Sequence, residues 1–280
     1  MKALVRNINR RRLTNTLMTT LTALCAVLAV TILVLIIGYI AYSGLTAINL
    51  NFLVNTPKPV GEGGGIGNAI TGTLVLLVLA CIFGMPVGIA AGVYLAEYGN
   101  NWFAHIVRFV TDTLTGVPSI IVGVFVYTII VLPQKHFSTL AGGVALALIM
   151  IPIVARTTEE MIRLVPTSLR EGALALGAPQ WRVTTGVVLP AAASGIATGA
   201  MLAVARVSGE TAPLLFTAFG SRFFNWYLDQ PMSSLTVQIY NYAISPYDEW
   251  HAQAWAATLV LMTIILTINI IVRFFTRKKF

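Results

Sequence analysis

Long apolar blocks set the first constraint on this chain. About 20 consecutive, mostly apolar residues are enough for a helix to cross the hydrocarbon core of a bilayer. Six stretches meet or approach that length: 17–42, 67–95, 109–132, 138–155, 187–212 and 255–274. The fourth is short and the fifth carries charges. No water inside lipid can satisfy backbone N–H and C=O groups, so each stretch must close its hydrogen bonds within itself as a helix. Composition agrees, with 57% hydrophobic and only 10% charged residues, where a soluble domain carries about 25% charge. The expected fold class is therefore all-α integral membrane, with six helices. The basic stretch Arg6–Arg12 followed by an apolar run resembles a signal peptide. The run is longer than a signal core and no small-residue cleavage site ends it, so it reads as a retained first helix. Cys25 and Cys81 lie inside apolar blocks and are expected as buried thiols; they offer neither a disulfide framework nor a metal-ligand spacing.

Charge placement gives an orientation. The chain carries a net charge of +8, which raises nucleic acid as a partner, but no basic helix face with interleaved aromatics exists to bind it. With the N-terminus placed in the cytoplasm, fourteen of the eighteen lysines and arginines fall inside. Only Lys58, Lys135 and Arg222 fall outside, and Arg206 lies within the fifth helix. Cytoplasmic segments are enriched in Lys and Arg, so both termini are expected inside. The outer loop 43–66 ends in Gly61, Gly63, Gly64 and Gly65, which suits a flexible loop. The outer segment 213–254 holds Trp226, Tyr227, Tyr240, Tyr242, Tyr247 and Trp250, fitting an interfacial aromatic belt, a docking surface, or both. Gly84-Met85-Pro86-Val87-Gly88 and Gly116-Val117-Pro118-Ser119 lie within helices, where glycine permits close packing and proline kinks. Packing and hinge motion both fit these sites.

The inner segment between the fourth and fifth helices is too regular for a plain connector. Two short amphipathic helices, broken near Pro166 and Gly177, fit it. Thr167 or Ser168 is placed to cap the second, with Glu171 completing a capping box, and Pro179 to open the next turn. The segment reads Glu171-Gly172-Ala173, three residues, Gly177, nine residues, Val187, one residue, then Leu189-Pro190. That spacing is similar to the EAA motif of ABC importer permeases, EAA-x3-G-x9-I-x-LP, with Gly172 for the middle alanine and Val187 for isoleucine. Gly172 weakens the helix by about 1 kcal/mol relative to alanine. The resemblance implies a six-helix type I, MetI-like permease. Its cytoplasmic coupling helices would insert into a groove on an ATPase. Gly177 would permit the sharp turn between them, and Glu171 would supply a charge beside it.

The fifth helix holds the chain's strongest chemical anomaly. Ionisable groups inside a membrane segment are expensive and usually functional. Arg206 and Glu210 stand four apart, so on a helix they share a face and can pair. Arg206 falls about 24 Å along from Pro190, in the outer half of a core about 30 Å thick. A structural ion pair fits; so does a substrate contact in which Glu210 holds Arg206 until an anion arrives. The run Ala205-Arg206-x-x-Gly209-Glu210-Thr211-Ala212-Pro213-Leu214-Leu215 is similar to the signature of PstA-type phosphate permeases. So are the stretch from Met150 to Glu159 and Gly116-Val117-Pro118-Ser119. The likeness spans about residues 67–271.

On that resemblance the chain divides into 1–66, an N-terminal helix and outer loop, and 67–276, a permease core with the coupling loop at 156–190. Arg206 and Glu210 fall at positions implicated in phosphate passage. Arg156, ending the fourth helix, fits either snorkelling or an inner phosphate contact. The resemblance further implies import of inorganic phosphate across the inner membrane, with a PstC-type permease, a PstB-type ATPase dimer and a periplasmic phosphate-binding protein as partners. The sequence has no G-x-x-x-x-G-K-[ST] loop, so ATP and Mg are expected on the ATPase, with no cofactor and no catalysis in this chain. The coupling motif fits permeases for sulfate, phosphonate or molybdate equally; the Arg206 run favours phosphate. An intramembrane enzyme finds no support in His105, His136 and His251, which are scattered among loops and ends.

Overall fold

The structure, a computed structural model, describes the backbone of residues 2–277 and the side chains of 11–274. The side chains of Lys2, Arg6, Arg10, Arg277, Lys278 and Lys279, counted above for orientation, lie outside the described residues. The elements are α1 (Lys2–Leu45), α2 (Leu50–Val54), α3 (Gly67–Glu97), α4 (Trp102–Gly116), α5 (Ser119–Gln134), α6 (Thr139–Arg163), α7 (Thr167–Ala175), α8 (Gln180–Ser208), α9 (Ala212–Thr217), α10 (Leu235–Ala243) and α11 (Asp248–Arg277). No strand occurs among the described residues. Helices α1, α3, α6, α8 and α11 are long and apolar enough to span a membrane.

The third expected span, 109–132, is not one helix. It is broken into α4 and α5, whose axes diverge by 105°. Pro118 is the cause. Its ring drives the preceding residue out of helical conformation, and Val117 is extended at φ −70°, ψ 130°. Prolines elsewhere act more gently. Within α5 and α8 a wider turn, in which N–H groups reach back five residues, spans Tyr127–Val131 and Thr184–Val188. Each turn directly precedes a Leu-Pro pair, Leu132-Pro133 or Leu189-Pro190. Proline offers no N–H and crowds the carbonyl four residues back. Leu132 therefore donates to the Tyr127 carbonyl and Leu189 to that of Thr184.

The central contact is α3 against α6. Gly84, Gly88 and Gly92 recur every fourth residue along one face of α3. A methyl group on Gly88 would lie 2.7 Å from Val154 Cβ, and one on Gly92 2.5 Å from the Ala155 carbonyl oxygen. The glycines are therefore a packing seam, which is how the Gly84–Gly88 motif is used here. Leu76, Leu77 and Ala80 of α3 meet Leu146, Met150 and Val154 of α6, and Ala203 and Val207 of α8 close the cluster. Helix α1 packs chiefly on α11, near its own C-terminal end. Tyr39 stands edge-on to Trp255 at 5.0 Å, and Gly44 abuts the Trp255 backbone. The end of α1 thus meets the start of α11. Most of α1 is exposed, Cys25 with it, and Cys81 on α3 is only partly buried, contrary to the expected burial of both.

At the opposite end from α7, the two long connections fold together. Gly61, Gly63 and Gly64 adopt left-handed backbone angles, so the glycine cluster is a loop as expected. Segment 213–254 contributes α9, a loop and α10. Its carbonyls satisfy the free N–H groups at the start of α6: Ser138 donates to Thr217 (3.0 Å), Thr139 to Gln230 (2.9 Å) and Leu140 to Leu228 (2.9 Å). Helix α10 is capped by Ser234 and buries Leu235, Val237 and Tyr242. Tyr242 stacks on Trp250 at 4.9 Å, whereas Trp226, Tyr227, Tyr240 and Tyr247 are exposed.

Candidate functional site

Arg206 sits in the last turn of α8, which stops at Ser208. The chain leaves the helix through tightened turns, with Gly209 N–H donating to Arg206 and Glu210 N–H to Val207, each at 3.2 Å. Thr211 and Pro213 then open α9. Arg206 is exposed and lines a cavity of about 260 Å³. Thr115, Val117 and Ser119, from the bend between α4 and α5, form one wall; Ile149 and Ile153 of α6 form another. The structure therefore brings two separate sequence signals, the Gly116–Ser119 stretch and Arg206, to one place. The lining is otherwise uncharged. Among the described residues no carboxylate pairs with the Arg206 guanidinium.

The expected Arg206–Glu210 pair is not formed. Glu210 lies in the link beyond α8, so the four-residue helical spacing that would have joined them is interrupted. The link is instead held by Thr236, whose hydroxyl donates to the Glu210 carbonyl at 3.0 Å. Arg156 does not reach the Arg206 cavity either. It pairs along α6 with Glu159 (3.4 Å) and Glu160 (3.2 Å).

Glu159 is the residue the sequence reading missed. It is 1% exposed and accepts from three arginines: Arg163 at 2.6 Å, Arg108 at 2.8 Å and Arg156 at 3.4 Å. Arg108 comes from α4 and also donates to the carbonyls of Leu95 (2.7 Å) and Gly99 (3.3 Å), filling the open C-terminal end of α3. One carboxylate thus ties α6 to α4, and through Arg108 to α3. The arginines three before and four after Glu159 were a readable signal; the decisive partner, 51 residues away, was not.

A second tie fixes the coupling segment. Arg170 of α7 donates to Glu97 at 2.9 and 3.1 Å and to the Ile162 carbonyl at 2.8 Å. It thereby caps the end of α6 and bonds to the end of α3. The expected capping box is absent. Pro166 occupies the cap position of α7 without a side-chain hydrogen bond, and Glu171 is exposed. Gly177 has φ +81°, and a Cβ placed on it would meet nothing within 4 Å. The turn needs its backbone freedom rather than its small size. Gly172 is exposed and Ala173 half-buried. Pro179 caps α8, and Leu189 joins a cluster with Val165, Val183 and Val188 beneath the turn, followed by Pro190. On the free face Leu176 is 89% and Trp181 58% exposed, an apolar surface that in a soluble setting marks a contact site.

Comparison with known proteins gives consistent likenesses. Residues 84–280 match the family described as binding-protein-dependent transport system inner membrane component. The chain is 50% identical over 229 residues to the phosphate transport system permease protein PstA of Yersinia pestis, covering 81% of this chain and 78% of that one. It is 44% identical over 271 residues to PstA of Pasteurella multocida, covering 96% of each. Among solved structures, an inward-facing MetNI methionine ABC transporter superposes with a TM-score of 0.62 at 20% identity, over 77% of this chain and 94% of that one. An amino acid ABC transporter with histidines gives 0.58 at 18%, over 76% and 92%. At such identities these two structures speak to the fold alone.

Proposed function

The chain belongs to the binding-protein-dependent transport system inner membrane component family and, within it, to the PstA phosphate permeases; from that premise we propose that it moves inorganic phosphate across the inner membrane as one permease subunit of an ATP-driven importer, with Arg206 as the phosphate contact. The observation that carries the site is the unpaired Arg206 guanidinium at the mouth of an otherwise uncharged cavity. A guanidinium presents planar, fixed donors that match two oxyanion oxygens at once. Glu210 acts in the alternate conformation, in which the link rewinds and gives Arg206 a carboxylate in place of substrate. Arg156, 46% exposed at its pairing with Glu159, can exchange a carboxylate for phosphate on the inner side.

Coupling runs through α7. The clustering of positive charge supports a cytoplasmic coupling loop and cytoplasmic termini. The Glu171–Gly177 turn, with Leu176 and Trp181, docks an ATPase that holds ATP and Mg. A PstC-type permease, a PstB-type ATPase dimer and a periplasmic phosphate-binding protein complete the assembly, and residues 67–276 form the permease core. A push on α7 is passed by Arg170 to Glu97 of α3 and, at the same end, by Glu159 to Arg108 of α4. Helix α4 leads to the Pro118 bend, which walls the Arg206 cavity.

The test is Arg206→Gln in the assembled transporter, reconstituted in liposomes with binding protein. Phosphate uptake is expected to vanish while the complex assembles and hydrolyses ATP at its basal rate. Normal uptake would rule out the site. Competition by unlabelled sulfate, phosphonate and molybdate separates phosphate from the other oxyanions, and effective competition by one of these would transfer the assignment to it.

A further inference from the structure

A second cavity, of about 300 Å³, lies at the end of the molecule away from α7, where loop 43–66 meets segment 213–254. Lys58 comes from the first connection and Arg222 from the second. Asn68, in the first turn of α3, holds the second by donating to the Ser221 carbonyl at 2.6 Å. Among the described residues neither cation has a carboxylate partner, and no Asp or Glu lines the cavity. The rest of the wall carries uncharged polar groups, including Gln238 and Asn241 of α10. Tyr242, 4% exposed, and Trp250 also line it. The Tyr242 hydroxyl and the Trp250 indole N–H are buried without a hydrogen-bond partner of acceptable geometry, although the Gln238 side chain lies beside the hydroxyl. Buried donors without partners are rare and call for an explanation.

We propose that this cavity is an outer binding site for a small tetrahedral oxyanion, inorganic phosphate, which occupies it before reaching Arg206. The proposal rests on the phosphate-permease reading and extends it to a second site. Two unpaired cations and convergent N–H and O–H donors are the chemistry that replaces an oxyanion's hydration shell. Burial pushes the Tyr242 hydroxyl above its ordinary value, so it stays a neutral donor. Glu249, the carboxylate that bears on Tyr242, is engaged by the Gly61 N–H at 2.8 Å and is not part of the lining. The cavity shares an element with the link beyond Arg206. Val237 and Gln238 line it, while the adjacent Thr236 holds the Glu210 link. An anion drawn to the outer wall therefore acts on the same short helix that fixes the segment beyond Arg206.

The experiment is equilibrium binding of radiolabelled inorganic phosphate to the assembled transporter in phosphatidylcholine nanodiscs, without binding protein. Saturable binding is expected to survive Arg206→Gln and to weaken about tenfold for each of Lys58→Gln and Arg222→Gln. Wild-type binding by the Lys58→Gln/Arg222→Gln double variant overturns the outer site, while the Arg206→Gln transport test stands or falls separately. Two controls identify other occupants. If phosphate is displaced by nanodiscs containing phosphatidylglycerol, the pocket takes a lipid headgroup and the proposal fails. If the double variant binds phosphate normally but no longer docks the binding protein, the cations belong to a protein interface, and the proposal again fails.

Discussion

Replacing Glu159 by glutamine isolates the buried charge that joins three helices. The substitution keeps side-chain length and one acceptor oxygen but removes the negative charge. The partners differ in how much water they see: Arg108 is 20% exposed, Arg156 46% and Arg163 55%. The Arg108 bond is shielded, and a hydrogen bond between charged groups there is worth about 1.5–3 kcal/mol. Arg156 and Arg163 are half in solvent, so each contributes about 0.2–1 kcal/mol. The expected loss is therefore about 2–5 kcal/mol. Glu160→Gln is the matched control, since its carboxylate is 54% exposed and holds only Arg156 at 3.2 Å; its loss should stay below about 1 kcal/mol. Thermal unfolding of the detergent-solubilised transporter reads both. At a temperature where Glu159→Gln remains folded, ATPase activity is expected to persist while phosphate uptake falls, because α4 no longer follows α6. Equal thermal shifts for the two variants, or full uptake with Glu159→Gln, would refute the role assigned to this carboxylate.

Three further substitutions follow from backbone and packing. Gly88→Ala places a methyl 2.7 Å from Val154 Cβ and 3.0 Å from the Ile151 carbonyl, and overpacking should cost about 1–3 kcal/mol in the same unfolding assay. Gly177→Ala meets no neighbour but must hold φ +81°, at about 1–2 kcal/mol; the strain is local, so ATPase–transport coupling should fall while thermal stability of the core barely changes. Gly172→Ala has open space around it and should strengthen α7 by about 0.5–1 kcal/mol, with uptake unchanged. A loss of uptake there would mean that the residue's smallness is used against the ATPase.

Much of this architecture is written in local pattern. Apolar run length alone marked five spanning helices, because a lipid-buried backbone has no other way to satisfy its polar groups. The coupling turn was legible in the spacing from Glu171 to Pro190, and Gly177 in particular, since a left-handed residue at a tight turn favours glycine. Local pattern also stopped short. Residues 109–132 are apolar enough for one span, yet Pro118 turns the chain by 105°; sequence marks a proline but not the angle that packing gives it. A capping box from Thr167 or Ser168 to Glu171 was plausible by spacing, but Pro166 holds the cap position of α7 and Arg170 bonds to α3 and α6.

Side-chain partnership was decided in three dimensions. Four-residue spacing promised an Arg206–Glu210 pair, but the end of α8 at Ser208 separates them and leaves the arginine beside the Pro118 bend. Glu159 drew no attention of its own in the sequence, and its role appeared only when α4 supplied Arg108 from 51 residues away. Lys58 and Arg222 are strangers in the chain and neighbours in one cavity. Hydrophobic periodicity, turn chemistry and motif spacing act over a few residues, so a single strand of text can hold them. Electrostatic pairing depends on distance through space, and only the packing of α3 on α6, with the connections folded over their ends, brings those charges within reach.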